Sequence, residues 1–314
     1  MTAGENSGRR VKVIYIAGWG RSGTTIVDRI LGQVPGFFSM GEMRYLWDRN
    51  LLENRLCGCG EKFSDCRLWQ GVMQEAFGGM EGVNAAEMLR LREACSRTRH
   101  VPLMITAPGR RFLKPRMEKY LAALEKLYHA IPATTGARVV VDSSKFPTYA
   151  MALQMIPSMD LYMVHMVRDP RAVAHSWLRR KLQPDTGKLE PMKEHGKLFS
   201  SVIWNSWNWM TDLVWGGSPD HYLLLRYEDF VRQPRRSVAR ITALVGEPGA
   251  TLPFRDETTA ELGINHTVSG NPNRFQTGPV PIRADDEWRS KMKPRDKLFV
   301  HSLTWPWMLK YGYK

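Results

Sequence analysis

The sequence predicts an α/β fold: a three-layer sandwich whose central, mostly parallel sheet of four to five strands is flanked by helices. Three observations carry that prediction. Short, continuously apolar runs recur along the chain, as strands covered on both faces require. A helical pattern follows most of them, so the connections read as crossovers and not as hairpins. The first run also enters a glycine-rich turn that opens a helix, the kind of junction at which open α/β sheets bind ligands.

Taken in order, residues 11–17 (Val-Lys-Val-Ile-Tyr-Ile-Ala) form the first strand, and residues 24–33 the helix after it. Residues 138–142 form a second strand and 161–167 a third. Asp169-Pro170 then supplies an N-cap and a first-turn proline for a helix through about residue 181. A fourth strand is expected at 221–226, followed by a helix at about 234–245. Between the first two strands lies a long, mostly helical pattern that includes 85–98 and 111–130. It is expected to be a cap, at about 40–135, over the carboxyl ends of the strands. One domain spanning 1–314 is expected. Residues 183–196, rich in Pro, Gly, Lys and Glu, read as a mobile loop.

A chain of 314 residues with 43% hydrophobic and 24% charged residues buries a full core and is not disordered. Its formal net charge of +14 calls for an anionic partner: nucleic acid, an anionic membrane surface or a polyanionic small molecule. No membrane span is expected. The apolar run at 11–18 is too short, and 199–215 is interrupted by Asn205, Asn208 and Asp212. Residues 1–10 are polar with no apolar leader, so the expected location is cytoplasmic. Trp204, Trp207, Trp209 and Trp215 could stack on a single strand. Trp204 and Trp207 stand at helical spacing, however, and no nucleic-acid fold signature accompanies them. A core role is the better reading, and nucleic acid is not an expected partner.

The turn Gly18-Trp19-Gly20-Arg21-Ser22-Gly23-Thr24-Thr25 nearly fits the P-loop pattern G-x-x-x-x-G-K-[ST], with Thr24 in place of the lysine. Glycines let backbone N–H groups turn inward, and the following helix offers its positive end to an anion. The missing lysine is the side chain that reaches the terminal phosphates of a nucleoside triphosphate. Arg21 supplies a cation instead. A P-loop kinase-like phosphotransferase using ATP and magnesium is the alternative, since Val139–Asp142 ends in an aspartate as a metal-holding strand does.

The string Gly20-Arg21-Ser22-Gly23-Thr24-Thr25 resembles the 5′-phosphosulfate loop of the sulfotransferases that use 3′-phosphoadenosine-5′-phosphosulfate (PAPS). Their second motif is matched by Val167-Arg168-Asp169-Pro170-Arg171-Ala172-Val173-Ala174-His175-Ser176. The resemblance implies a P-loop-like fold of bacterial type, sulfation activity with adenosine 3′,5′-bisphosphate (PAP) as product, and Arg168 and Ser176 holding the 3′-phosphate. A guanidinium suits that role because its planar fork grips phosphate bidentately. Leu225-Arg226-Tyr227-Glu228-Asp229 resembles the segment whose tyrosine meets the adenosine. The stretch His266…Gly270-Asn271-Pro272-Asn273-Arg274 resembles a C-terminal loop that closes over the nucleotide, which places Arg274 near the 3′-phosphate. Gly41-Glu42-Met43-Arg44 resembles the Glu-x-Arg segment of the tyrosylprotein branch. It implies Glu42 as general base, with Arg44 contacting substrate.

Sulfuryl transfer should resemble phosphoryl transfer, in which positioning and electrostatics dominate. Arg21, the loop amides and the Thr24 and Thr25 hydroxyls would stabilise charge growing on the departing 5′-phosphate. Asp142-Ser143-Ser144-Lys145 ends the second strand where the small-molecule branch carries a base histidine. Lys145 stands there instead and is expected to stabilise the transferring group. His165 and His175 read as core or supporting residues. No metal is required for the transfer. The acceptor is expected to be a hydroxyl or amine on a small molecule, lipid, sugar or peptide, and the Met-rich insertion favours an apolar acceptor surface. Cys57-Gly58-Cys59…Cys66 leaves three states open: zinc, a disulfide or buried thiols. A fourth zinc ligand is not evident at local spacing.

Overall fold

In the computed structural model, which describes residues 10–95, 100–179, 182–186, 190–192 and 194–314, five parallel strands form the main sheet. They are β1 (Val11–Ala17), β2 (Phe37–Gly41), β3 (Val139–Lys145), β4 (Met159–Val167) and β5 (Tyr222–Arg226). Their spatial order is β2-β3-β1-β4-β5. The expectations for residues 1–9, for the ends of the helices at 96–98 and 180–181, and for part of the 183–196 loop lie outside the described residues.

Side-chain alternation along β1 shows why its sequence is apolar apart from the half-buried Lys12, whose Nζ donates to the Val245 carbonyl at 2.9 Å. Val11, Val13, Tyr15 and Ala17 enter one core while Ile14 and Ile16 enter another on the opposite face. The neighbours repeat the split: Val140 and Met163 join the first core, and Val141 and Val164 the second. Helix α1 (Thr24–Leu31) packs on the second face through Val27, Ile30 and Leu31. On the first face lie α2 (Arg67–Phe77), α3 (Ala85–Cys95) and the 29-residue α4 (Ala107–Thr135). α5 (Pro147–Gln154), α6 (Pro170–Leu178) and α7 (Lys197–Trp215) follow. Asp169 caps α6 through its side chain, which accepts from Arg171 N, and Pro170 takes the first turn, as the sequence predicts.

One strand departs from the expected order. Phe37–Gly41, separated from the end of α1 by five residues, pairs with β3 from Phe37↔Val139 to Gly41↔Asp142 and forms the sheet edge. The segment between the first two expected strands therefore contains a strand before its helices. β2 delivers Glu42 to the same end of the sheet as the glycine-rich turn. The chain after β1 winds to one side of it and the chain after β4 to the other. The crevice at that reversal is where open α/β sheets bind ligands.

Candidate active site

The turn after β1 is shaped by two glycines that no other residue could replace without strain. Gly18 has φ 133°, and a Cβ there would meet the Met166 carbonyl oxygen at 2.2 Å. Gly23, at φ 87°, would meet the Tyr227 ring at 2.8 Å. Gly23 is also the N-cap of α1 and offers no side-chain cap, so the first amides of the helix are free to face a ligand.

A cleft of about 1180 Å³ opens above this turn. Gly20, Arg21, Gly23, Thr24 and Thr25 line its floor, Arg168, Ser176 and Tyr227 one wall, and Glu42, Arg44 and Lys145 another. Eleven of the thirteen residues singled out from the sequence thus meet at one cavity. The two exceptions are corrections. Ser22 lies beneath the surface, 1% exposed, and its hydroxyl does not reach the cleft wall. Arg274, also 1% exposed, points away into the protein: Nη1 donates to the Thr267 carbonyl at 2.6 Å and Nη2 to that of Leu56 at 2.7 Å. It braces the C-terminal loop from inside, and Gly270, Asn271 and Asn273 of that loop reach the cleft instead.

Arg168 joins the turn after β1 to the segment after β4. Its Nη1 donates to the Arg21 carbonyl at 3.0 Å, its Nη2 to that of Asp285 at 2.6 Å, and its guanidinium lies 4.2 Å above the Tyr227 ring. The Asp285 carboxylate approaches within 3.4 Å and also pairs with Arg179, which donates to Ser176 Oγ at 3.3 Å. Burial pushes the Asp285 carboxyl up, but the Arg179 hydrogen bond and the Arg168 charge outweigh it and hold the group below its ordinary range. The Arg21 guanidinium stands 4.7 Å over Trp177, and burial, reinforced by the Arg179 charge, lowers its pKa. Nε and Nη1 of Arg21 and Nε of Arg168 are buried without a hydrogen-bond partner. Buried donors without acceptors are costly, so this cluster suits an anion with several oxygens.

Across the cleft, Glu42 accepts a short hydrogen bond from Lys145 Nζ, both side chains being 12% exposed. Glu42 does not cap the helical turn it precedes; its carboxylate is committed to the cleft. Lys145 sits at φ 73°, just past a register shift between β1 and β3, and this turns its side chain toward Glu42. Arg44 lies 3.9 Å over the Phe146 ring. Sequence reasoning missed the aromatic wall here: Trp19 packs with Trp177 at 5.1 Å and with Trp207 at 5.0 Å, and Phe146 with Trp207 at 4.4 Å. Trp204 and Trp207 are both buried in the core as expected, and Trp207 also lines the cleft. Arg283 and Asp285 were missed as well, because nothing marks a polar loop residue as a lining residue before the fold closes.

His165 is fully buried between Tyr222 and Asn208, as expected for a core residue. Asp142, the candidate metal carboxylate of the kinase reading, is held by Tyr128 and Ser144 inside the core, where burial raises its pKa to about 6. It does not reach the cleft. No helix among the described residues is long and apolar enough to cross a membrane.

Comparison with known proteins agrees with this architecture. The sulfotransferase domain of the Synechococcus olefin synthase superposes with a TM-score of 0.53 at 19% identity, over 99% of this chain and 98% of that one. The sulfotransferase domain of the curacin biosynthetic pathway gives 0.52 at 17% identity, over 98% and 99%. These two show a shared fold. Mouse carbohydrate sulfotransferase 4 is 25% identical over 275 residues, covering 77% of this chain and 67% of that protein. Residues 14–251 match the profile of the Sulfotransferase family, and the chain is a member of that family.

Proposed function

We propose that the protein transfers a sulfuryl group from PAPS to an acceptor hydroxyl or amine by in-line displacement. The observation that carries this reading is the bond from Arg168 to the Arg21 carbonyl, which fixes two anion-binding segments side by side at one cleft. A donor with phosphate groups on both the 3′ and the 5′ oxygen of its ribose needs two such sites, and a simple triphosphate does not. The buried, unpartnered donors of Arg21 and Arg168 fit that requirement.

In this reading the amides of Gly20, Arg21, Gly23, Thr24 and Thr25, the Thr24 and Thr25 hydroxyls and the Arg21 side chain bind the 5′-phosphosulfate. They stabilise the negative charge that grows on the 5′-phosphate as its bridging S–O bond breaks. Arg168 and Ser176 bind the 3′-phosphate, and Tyr227 borders the nucleoside. Glu42 accepts the proton of the acceptor as the new O–S or N–S bond forms. Lys145 orients that carboxylate and stands where its ammonium can meet the transferring oxygens. Arg44 and the aromatic wall receive the acceptor, which favours one with apolar or planar surface beside its hydroxyl. The insertion at about 40–135 belongs to a single domain and borders the cleft through Glu42, Arg44, Tyr45, Arg49 and Glu93, while its helices cover one face of the sheet. No group in this scheme calls for a metal in the transfer step. The adenosine bisphosphate, the acceptor class and a cytoplasmic location all rest on this reading.

The test compares thermal stabilisation by adenosine 3′,5′-bisphosphate, adenosine 5′-monophosphate and ATP with magnesium at equal concentration. A preference for the bisphosphate is expected. Stabilisation by ATP with magnesium and indifference to the bisphosphate would overturn the proposal.

A further inference from the structure

Away from the cleft, the fold gathers three cysteines and a histidine that the transfer chemistry does not use. Cys57, Cys59 and Cys66 are free thiols, Cys57 and Cys66 fully buried, and His266 arrives from a segment 200 residues beyond Cys66. The His266 Nδ1 lies 3.3 Å from Cys66 Sγ and 3.8 Å from Cys57 Sγ. All four candidate ligand atoms lie within 4.8 Å of one another. We infer that Cys57, Cys59, Cys66 and His266 form a structural zinc site that staples the C-terminal loop to the insertion.

The two S···N distances can be set against a tetrahedron. Zinc–sulfur bonds of about 2.3 Å and zinc–nitrogen bonds of about 2.0–2.1 Å imply ligand separations of about 3.8 Å for S···S and about 3.5 Å for S···N. The two measured S···N separations straddle the latter value. Three thiolates and an imidazole suit zinc and not the hard cations that select oxygen ligands. Four protein ligands leave no open position, which marks a structural rather than a catalytic centre.

The surrounding backbone is built to hold the four in place. Cys57-Gly58-Cys59-Gly60 is a tight turn: Gly60 N donates to the Cys57 carbonyl at 2.9 Å, and Gly60 has φ 92°. Gly58 N donates to the Thr267 carbonyl at 3.0 Å, and a Cβ on Gly58 would meet Asn265 Oδ1 at 2.0 Å. Trp69 Nε1 holds the His266 carbonyl at 2.7 Å. Charge agrees as well. A zinc centre with three thiolates and a neutral histidine carries one net negative charge. Beside it the buried Arg274 donates to the carbonyl of Leu56, the neighbour of Cys57, and its nearest carboxylate, on Asp185, is 3.9 Å away.

The site bears on the cleft through the loop it fixes. Val268 N bonds to the Met40 carbonyl at 2.8 Å, and Gly270, four residues beyond His266, borders the cleft, where a Cβ on it would lie 3.8 Å from Glu42 Oε1. Zinc would therefore tie the wall beside Glu42 to the insertion. This inference does not depend on which group the enzyme transfers.

The full chain, expressed in zinc-supplemented medium and purified with reductant and without chelator, should carry about one zinc per chain by plasma mass spectrometry. His266→Ala and Cys66→Ser should each lower that content at least tenfold. Because either variant could misfold, the unmodified chain is also reconstituted with cobalt(II). A thiolate-to-cobalt charge-transfer band with intense visible d–d bands is expected. Chelation should lower the melting temperature and speed proteolysis within 263–276. Zinc far below one per chain after loading, a cobalt spectrum without the charge-transfer band, or a cysteine pair isolated as a disulfide would overturn the inference.

Discussion

Replacing Arg168 by alanine separates a phosphate ligand from a structural arginine. The side chain is 5% exposed, so bonds to a phosphate are made with little competition from water. Hydrogen bonds to charged groups contribute about 1.5–3 kcal/mol each. Losing the grip on the 3′-phosphate should cost about 2–3 kcal/mol, a 30- to 150-fold weaker dissociation constant. The readout is the melting temperature with adenosine 3′,5′-bisphosphate at about 100 times its unmodified dissociation constant. That concentration adds about 2.7 kcal/mol, or about 4 °C for a chain of this length. A 100-fold weaker site leaves about 0.4 kcal/mol at the same concentration, a shift of less than about 1 °C. Adenosine 5′-monophosphate supplies the second arm of the cycle. It lacks the 3′-phosphate, and its affinity should change less than about twofold, within the usual error of additivity. Arg168→Lys should fall between, since it keeps charge and loses the fork. Arg168 also holds the Arg21 carbonyl, so its loss could simply loosen the turn. If both nucleotides weaken equally in Arg168→Ala, the arginine is structural and the 3′-phosphate assignment fails.

Glu42→Gln should lower kcat about 10²- to 10⁴-fold with the acceptor found by screening, while bisphosphate affinity changes less than about twofold; an unchanged kcat removes Glu42 as the base. Lys145→Gly and Lys145→Ala should be equally impaired in turnover, yet the glycine variant should be about 1 kcal/mol more stable in urea, because φ 73° suits glycine and strains alanine. Equal stabilities would show that this backbone carries no strain. Asp28 is fully buried against Ser39, and burial raises its pKa to about 7. The native state therefore retains a proton that the unfolded chain releases near pH 4, so this group's contribution to stability should fall as pH rises from about 4 to about 7. Asp28→Asn should flatten that slope in denaturation curves, and an unchanged slope would assign it to other groups.

What the sequence revealed, and what it withheld, follows from the range over which each feature is encoded. β1, β4 and the turns after them were legible because apolar runs, a proline–aspartate cap and spaced glycines all act within a few residues. β2 was not. Phe37-Phe38-Ser39-Met40-Gly41 is short, and it becomes a strand by pairing with Val139 and its neighbours, about a hundred residues away. His266 is hidden in the same way, since Cys57 and Cys66 show a metal-like spacing but the fold must close before the fourth ligand arrives. Arg274 shows the opposite error. A guanidinium after a Gly-Asn-Pro turn reads equally well as a phosphate ligand or as a buried brace for carbonyls, and only packing against Leu56 and Thr267 decides. Asp142 is similar: a strand-ending aspartate is the same letter whether it holds magnesium or accepts from Tyr128 in a dry core.

Backbone strain adds a criterion that is independent of resemblance. Among the described residues three non-glycines have positive φ: Arg21, Asn54 and Lys145. Asparagine tolerates that conformation through its own side chain. For arginine and lysine it costs about 1–2 kcal/mol each, and glycine would remove the cost. Both nevertheless line the cleft, one in the glycine-rich turn and the other bonded to Glu42. A strained backbone that carries a long cation is stable only if the surrounding fold imposes it, as it does at functional sites. The strain at Arg21 and Lys145 thus points to the same two groups that the charge pattern selects. It does so from dihedral angles alone, with no reference to what other members of the family do.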